Sequence, residues 1–195
     1  MYTGENQTAK RSMQWLDSAL MALLQTERYT KITVKDICKE AELSRQTFYQ
    51  MFDSKDEIME YHFSNLFAGF QEACGSFDEI GCKELACQFF QFFYNERFFV
   101  TILIDNNMTY LLERQFELYL PQIPLFRRIN ETEEHPDYSV AYVAGALTQT
   151  LIHWFQSGFA LEVPEVGKLT EDIISGRVYQ EATKQSMTNR KETIQ

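Results

Sequence analysis

The sequence predicts an all-α protein, and three features of the chain support this fold class. Apolar residues recur at helical spacing through most of its length. The 195 residues include only four prolines and eight glycines, so long helices are left uninterrupted. Two short segments near the N-terminus each begin at a Ser or Thr cap. We expect a small N-terminal domain over residues 1–53, a larger helical domain over residues 54–180 and a polar tail over residues 181–195.

The segment from residue 32 to residue 55 has the pattern of two short helices joined by a tight turn. Thr33 can cap the first helix because its hydroxyl accepts from a free amide of the first turn, and Ser44 can cap the second in the same way. Phe48 and Phe52 are spaced i and i+4, which places both on one buried face. This layout predicts a helix-turn-helix, a motif whose second helix enters the DNA major groove.

Burial of Phe48 and Phe52 leaves the other side of the second helix exposed. Arg and Gln side chains can read base edges there, and Thr and Tyr hydroxyls can bond to phosphates or bases. Lys55 begins the next helix, where a cation beside free amides suits a phosphate. The outward residues of the second helix are Arg45, Gln46, Thr47, Tyr49 and Gln50.

Residues 34–55 resemble the DNA-binding domain of the TetR family of bacterial transcription regulators. The resemblance is carried by the cap and aromatic core of the second helix and by the residues after it, Ser44, Thr47, Phe48, Tyr49, Phe52, Ser54 and Lys55. Residues 10–27, with Lys10 and Arg11 before an amphipathic run of leucines, match the first helix of that family. The resemblance implies that the DNA-facing positions are Thr33, Arg45, Gln46, Thr47, Tyr49 and Lys55.

Three positions depart from the family pattern. Glu42 occupies the turn where glycine is usual, and a positive φ there would cost a non-glycine residue on the order of 1 kcal/mol. Arg28 also replaces a usual glycine, and Met51 stands where histidine is common. The alternative interpretation is a helix pair of this geometry that serves only packing.

The charge distribution is unusual for a DNA-binding protein, because the net charge is −10. Residues 1–60 hold eight Lys or Arg against ten Asp or Glu, and residues 61–195 hold ten against eighteen, so most of the net negative charge lies in the C-terminal part. Residues 31–55 alone hold five Lys or Arg against four Asp or Glu. Few phosphate contacts predict weak non-specific binding and a shallow salt dependence. This favours a selective dimeric repressor, or a relative that has lost tight DNA binding.

Several classes of function find little support in the sequence. The three histidines and four cysteines lack the spacing of a metal site, and there is no phosphate loop or nucleophile elbow, so we expect no enzyme, metal or cofactor. Residues 1–8 are polar and residues 89–104 are interrupted by Asn95, Glu96 and Arg97, so we expect a soluble, cytoplasmic protein with no membrane span. Buried, inert thiols are expected at Cys38, Cys74, Cys82 and Cys87, with a redox switch at the last three as the alternative.

The C-terminal part has the pattern of a series of amphipathic helices, over about 54–73, 83–94, 97–104, 107–120, 139–158 and 164–179, with an acidic loop over 130–137. The phenylalanines of residues 89–99 surround their helices, which predicts burial from several directions. A large core is one interpretation. The family resemblance implies the other, a pocket for a small apolar or aromatic effector, whose tentative lining is Phe93, Tyr94, Asn106, Tyr110, Gln149 and His153.

The last two predicted helices carry apolar stripes with small residues at 144–146 of the first. In the TetR family these helices pair with their two-fold mates, so we expect a homodimer rather than packing within one subunit. The leading hypothesis is therefore a ligand-responsive regulator, by resemblance a repressor, that binds a pseudo-palindromic double-stranded DNA operator as a homodimer. The alternative is a TetR-like co-regulator that acts through a protein partner with weak or no DNA binding of its own.

Overall fold

The computed structural model describes residues 6–74, 80–124, 126 and 134–177. Within these ranges the protein is helical and contains no strand, which confirms the all-α prediction. Two short 3-10 helices cover Tyr29–Lys31 and Leu120–Gln122. The α-helices are α1 Gln7–Leu23, α2 Val34–Glu40, α3 Arg45–Met51, α4 Lys55–Cys74, α5 Cys82–Asn95, α6 Arg97–Asp105, α7 Tyr110–Tyr119, α8 Pro136–Gln156 and α9 Val163–Ile174.

Two helix starts differ from the sequence prediction for identifiable reasons. The helix expected from residue 107 begins at Tyr110, because Asn107 has a φ of 56° and leaves the helical conformation. The helix expected from residue 139 begins at Pro136, since the fixed φ of proline suits the first turn. Residues 130–133 of the predicted acidic loop and the predicted tail at 181–195 lie outside the described residues.

The chain divides by packing into two compact units, residues 1–73 with 101–111 and residues 74–100 with 112–195. The domain boundary predicted after residue 53 stays a prediction. The first unit has a core of fully buried side chains contributed by α1 to α4, among them Leu16, Leu20, Ile37, Phe48, Phe52, Ile58 and Met59. The helices of its helix-turn-helix therefore pack on an apolar core.

The second unit is built on aromatic packing. The Phe89 ring lies 4.8 Å from that of Phe93, and the Phe90 ring lies edge-on to Trp154 at 5.4 Å. Trp154 donates its indole N–H to the Leu161 carbonyl at 2.7 Å. The predicted burial of the phenylalanines has one clear exception in Phe98, which is 47% exposed.

Helices α5 and α9 approach each other closely in the second unit. A Cβ atom placed on Gly167 would lie 2.4 Å from Cys87 Sγ and 3.1 Å from the Cys87 backbone. Only glycine allows the two helices to come this near, because any side chain at residue 167 would overlap α5.

Candidate nucleic-acid interface

The first helix of the motif, α2, begins with a complete capping box. Asp36 donates its backbone N–H to Thr33 Oγ1 at 3.3 Å, and Asp36 Oδ2 accepts from the Thr33 backbone N–H at 3.0 Å. The Thr33 hydroxyl also donates to Asp36 Oδ2 at 2.5 Å. The hydrogen bond from the Thr33 side chain has the largest effect on the pKa of Asp36, and that from the Thr33 backbone the next largest. Both lower this pKa below its usual value. Thr33 lies exposed at this helix start, and its contact with DNA stays a prediction.

The turn between the helices holds Glu42 in the left-handed region, with a φ of 53°. The sequence predicts strain at residue 42 if its φ is positive, because the family usually has glycine there. Since φ is positive, the turn carries a strain on the order of 1 kcal/mol. Leu43 donates its backbone N–H to the Cys38 carbonyl at 2.9 Å and closes the turn. Arg28 differs, since its φ of −69° is one that any residue adopts.

The second helix, α3, separates a buried side from an exposed side. Ser44 Oγ accepts from the Thr47 backbone N–H at 3.0 Å and caps the helix. Phe48 and Phe52 are completely or almost completely buried, with ring centroids 6.3 Å apart. The outward residues are Arg45, Gln46, Tyr49 and Gln50, with Thr47 half-buried between them. The geometry thus presents one polar, partly aromatic side of a well-anchored helix.

Tyr49 is the largest side chain on this exposed side, and 52% of its surface is accessible. Its ring packs edge-on against Phe48 at 5.2 Å, so the side chain is oriented by the core beneath it. A ring fixed in this way can make contacts to a groove with a small loss of conformational entropy.

Lys55, predicted to contact a DNA phosphate, makes contacts within the protein. Its ammonium group donates to the Tyr29 carbonyl at 2.6 Å and to the Ile32 carbonyl at 2.8 Å. It also stands 4.1 Å from the centroid of the Tyr29 ring, a cation–π contact. Burial lowers the pKa of Lys55. Of the six predicted DNA-facing residues, Lys55 is the one whose charge is already engaged within the protein.

The six residues predicted for a ligand pocket are divided between the two units. Asn106 and Tyr110 belong to the first unit, and the other four belong to the second. Gln149 and His153 are exposed on α8, and Phe93 is packed against the Phe89 and Phe116 rings. The amide of Asn106 is engaged in hydrogen bonds to Tyr29 and Ile102. The pocket assignment of these six residues stays a prediction without geometric support.

Sequence reasoning missed two buried polar atoms in the second unit. Gln88 Oε1 on α5 and Thr148 Oγ1 on α8 have no hydrogen-bond partner among the described residues. An unpaired polar atom in a protein interior costs free energy, so each needs an explanation. A polar residue on the apolar side of its helix was the only signal in the sequence.

Each unit also has a surface cavity lined by described residues. In the first unit a cavity of about 530 Å³ lies beside Trp15 and the α2–α3 turn, lined by Trp15, Ser18, Ala19, Ala22, Glu40, Ala41, Glu42 and Leu43. In the second unit an apolar groove of about 370 Å³ follows α8, lined by Phe126, Tyr138, Ser139, Val140, Tyr142, Val143, Ala146, Ile173 and Ile174. None of the six predicted pocket residues lines either one.

Among the described residues no three His, Cys, Asp or Glu side chains are grouped so as to hold a metal ion. In that same part of the chain, no helix combines the length and the apolar character needed to span a membrane. The cysteines described here are unpaired, and burial raises the pKa of Cys38 and Cys82 and raises that of Cys74 to about 11.

The N-terminal geometry has a counterpart in a known family. Residues 17–61 match the family model described as bacterial regulatory proteins, tetR family. The chain is 40% identical over 50 residues to the HTH-type dhaKLM operon transcriptional activator DhaS of Lactococcus lactis subsp. lactis (strain IL1403). That match covers 26% of this chain and 27% of the activator, about a quarter of each.

Solved structures extend the likeness of the fold over most of the chain. A TetR transcriptional regulator from Streptococcus agalactiae 2603V superposes with a TM-score of 0.63 at 20% identity, covering 86% of this chain and 96% of that one. A dihydroxyacetone kinase operon activator DhaS superposes with a TM-score of 0.54 at 22% identity, covering 87% and 95%. At these identities the comparison shows a shared fold.

Proposed function

We propose that this chain, a member of the TetR family by its N-terminal domain and its fold, is a homodimeric transcription regulator that binds an operator through α3 and responds to a ligand in its second unit. The observation that carries the proposal is the two-sided construction of α3. Phe48 and Phe52 anchor one side, and the other presents Arg45, Gln46 and Tyr49 outward. Side chains of these types, on one exposed side of a helix, can reach base edges and phosphates.

Dimerisation is supported by the exposed aromatic surface of α8. Tyr138 is 80% exposed and Tyr142 is 64% exposed, and both line the apolar groove that Ile173 and Ile174 of α9 complete. A contiguous apolar surface of this kind marks an association site, and a second copy of the same chain provides a matching surface. Two copies would present two α3 helices for successive major grooves, ~34 Å apart.

A ligand in the second unit is supported by the unpaired Gln88 Oε1 and Thr148 Oγ1 atoms. Both are buried acceptor oxygens that lack a partner among the described residues, so a ligand with a hydrogen-bond donor would suit them. For a proposed ligand site, Gln88 and Thr148 therefore have better support than the six tentative pocket residues. Repression is the default by resemblance, while the name DhaS, shared by the similar sequence and one similar structure, describes an activator.

The proposal is tested with the protein alone on the DNA upstream of its own coding sequence. We expect a specific complex that survives excess unrelated DNA and protects two half-sites about one helical turn apart. Because the motif carries little net positive charge, the affinity should fall only shallowly with salt. The absence of a specific complex at low salt would contradict autonomous DNA binding.

A co-regulator that acts through a protein partner is the second candidate, and the cavity beside Trp15 favours it. Trp15 is 53% exposed, and the carboxylates of Glu40 and Glu42 stand at the same cavity. An exposed indole beside acidic groups suits an Arg or Lys side chain of a partner protein. Under this alternative Trp15→Ala, and not Tyr49→Ala, should abolish regulation in cells, as measured by a reporter fused to the target promoter.

A further inference from the structure

The segment that leads into α2 is held at three separate points by residues distant in sequence. The residues involved are Tyr29, Lys55, Asp56 and Asn106. Lys55 binds the Tyr29 and Ile32 carbonyls, and the Tyr29 hydroxyl donates to Asp56 at the first turn of α4. The third point is the Tyr29 backbone N–H, which donates to Asn106 Oδ1 at 2.9 Å across 77 residues of sequence.

Tyr29 itself is a core residue rather than a surface one. Only 7% of its surface is exposed, and burial, followed by the hydrogen bond to Asp56, raises the pKa of its phenol. Its backbone N–H is therefore a part-buried donor that needs a partner, and Asn106 Oδ1 is that partner.

Both polar ends of the Asn106 side chain are in use, which fixes its orientation. Oδ1 faces the Tyr29 N–H, and Nδ2 donates to the Ile102 carbonyl at 2.9 Å, at the end of α6. The neighbouring Asn107, with its φ of 56°, turns the chain sharply after this point. The side chain thus joins the end of α6 to the segment before α2.

We propose that Asn106 is a positioning residue for DNA binding, because its side-chain oxygen holds Tyr29 and thereby fixes the start of α2. Thr33 follows Tyr29 by four residues, and α2 is the support against which α3 packs. This inference rests on the proposed function and assigns Asn106 to the interface side of the protein rather than to a ligand pocket.

Two substitutions at the same position separate positioning from a merely structural role. Asn106→Leu removes both hydrogen bonds. Asn106→Asp keeps the oxygen that accepts from the Tyr29 N–H and removes the donor to the Ile102 carbonyl. Asn95→Leu is the matched control, because Asn95 is an exposed residue at the end of α5 whose side-chain oxygen accepts from the surface residue Gln91.

Operator affinity and amide hydrogen exchange are measured on the full chain of each variant, well below its melting temperature. For Asn106→Leu we expect faster exchange confined to residues 29–36 and about tenfold weaker operator binding, the effect of leaving one part-buried donor unpaired. Asn106→Asp should restore the affinity to within about threefold of the wild type, since its acceptor is retained. Asn95→Leu should change neither quantity.

Each contrary result has a separate meaning. Equal loss of affinity in Asn106→Asp and Asn106→Leu would show that the residue serves only the end of α6 and would overturn the inference. Unchanged exchange at residues 29–36, or unchanged affinity despite faster exchange, would overturn it as well. A wild-type protein that forms no specific complex would instead overturn the proposed function, and the positioning role would fail with it.

Discussion

The recognition helix α3 and the second unit differ in how directly their residues indicate function. In α3 the buried and exposed sides follow from local spacing, and each outward residue has a chemistry suited to DNA. In the second unit the two buried oxygens that lack a partner among the described residues, Gln88 Oε1 and Thr148 Oγ1, become apparent only when the helices are packed together. A binding surface on one short helix can be inferred from its own sequence, whereas an internal site depends on several helices at once.

The largest expected effect is loss of the support beneath α3. Phe48→Ala removes a fully buried ring and should lower the free energy of unfolding by about 3–5 kcal/mol, as measured by urea denaturation. Phe98→Ala is the control from the other region, and because Phe98 is 47% exposed its cost should be much smaller. Equal losses for the two variants would remove the distinction between an anchored ring and a surface ring.

A smaller effect is expected where the second unit depends on close packing. Gly167→Ala places a methyl group against Cys87 and should cost about 1–3 kcal/mol in urea denaturation. Gly69→Ala is the matched control, because nothing lies within 4 Å of its added Cβ atom in α4. That control should be neutral or stabilise by about 0.5–1 kcal/mol, since alanine favours a helix more than glycine does. Stabilisation by Gly167→Ala would show that α5 and α9 have room to separate.

These two regions also show what can be predicted from the sequence. The caps at Thr33 and Ser44 depend on neighbours within three residues, and the i, i+4 spacing places Phe48 and Phe52 on one side. The structure contains both caps and buries both rings. The family resemblance, with glycine usual at residue 42, supported only a conditional expectation of strain there, and the φ of 53° at Glu42 fulfils the condition.

Long-range contacts were not predictable in the same way. Lys55 is bound by carbonyls that lie 23 and 26 residues earlier, and Asn106 by an amide 77 residues earlier. No periodicity in the sequence encodes such contacts, so Lys55 was assigned to a phosphate and Asn106 to a pocket. The unpaired atoms of Gln88 and Thr148 were missed for the same reason, because their isolation depends on packing between helices.

The strained turn of the DNA-binding motif gives a third test. Glu42→Gly should stabilise the protein by about 1 kcal/mol, because glycine adopts a φ of 53° without steric cost. Glu40→Gly is the matched control at the last residue of α2, where φ is negative, and should destabilise by about 0.5–1 kcal/mol, since glycine there relieves no strain and adds freedom to the unfolded chain. Thermal melting of both variants measures these shifts, and destabilisation by Glu42→Gly would contradict the assigned strain.

The smallest effect concerns pH and the cap of α2. The pKa of Asp36 is lowered in the folded protein, so its contribution to stability is present above its unfolded pKa and is lost as the pH falls through the folded value. In the wild type we therefore expect part of the acid loss of stability, below about pH 4, to come from Asp36. Asp36→Asn should flatten that part of the pH profile in urea denaturation. An identical pH slope in the two proteins would show that the capping box is not coupled to folding.

The central claim is that the outward side of α3 contacts DNA, and a paired substitution tests it most directly. Tyr49 and Trp15 are equally exposed aromatic side chains of the first unit, at 52% and 53%, but only Tyr49 lies on α3. Fluorescence anisotropy with the upstream DNA should show binding weakened about tenfold or more by Tyr49→Ala and unchanged by Trp15→Ala, with the helical content of both preserved. Unchanged affinity in Tyr49→Ala, under conditions where the wild type binds specifically, would contradict the account.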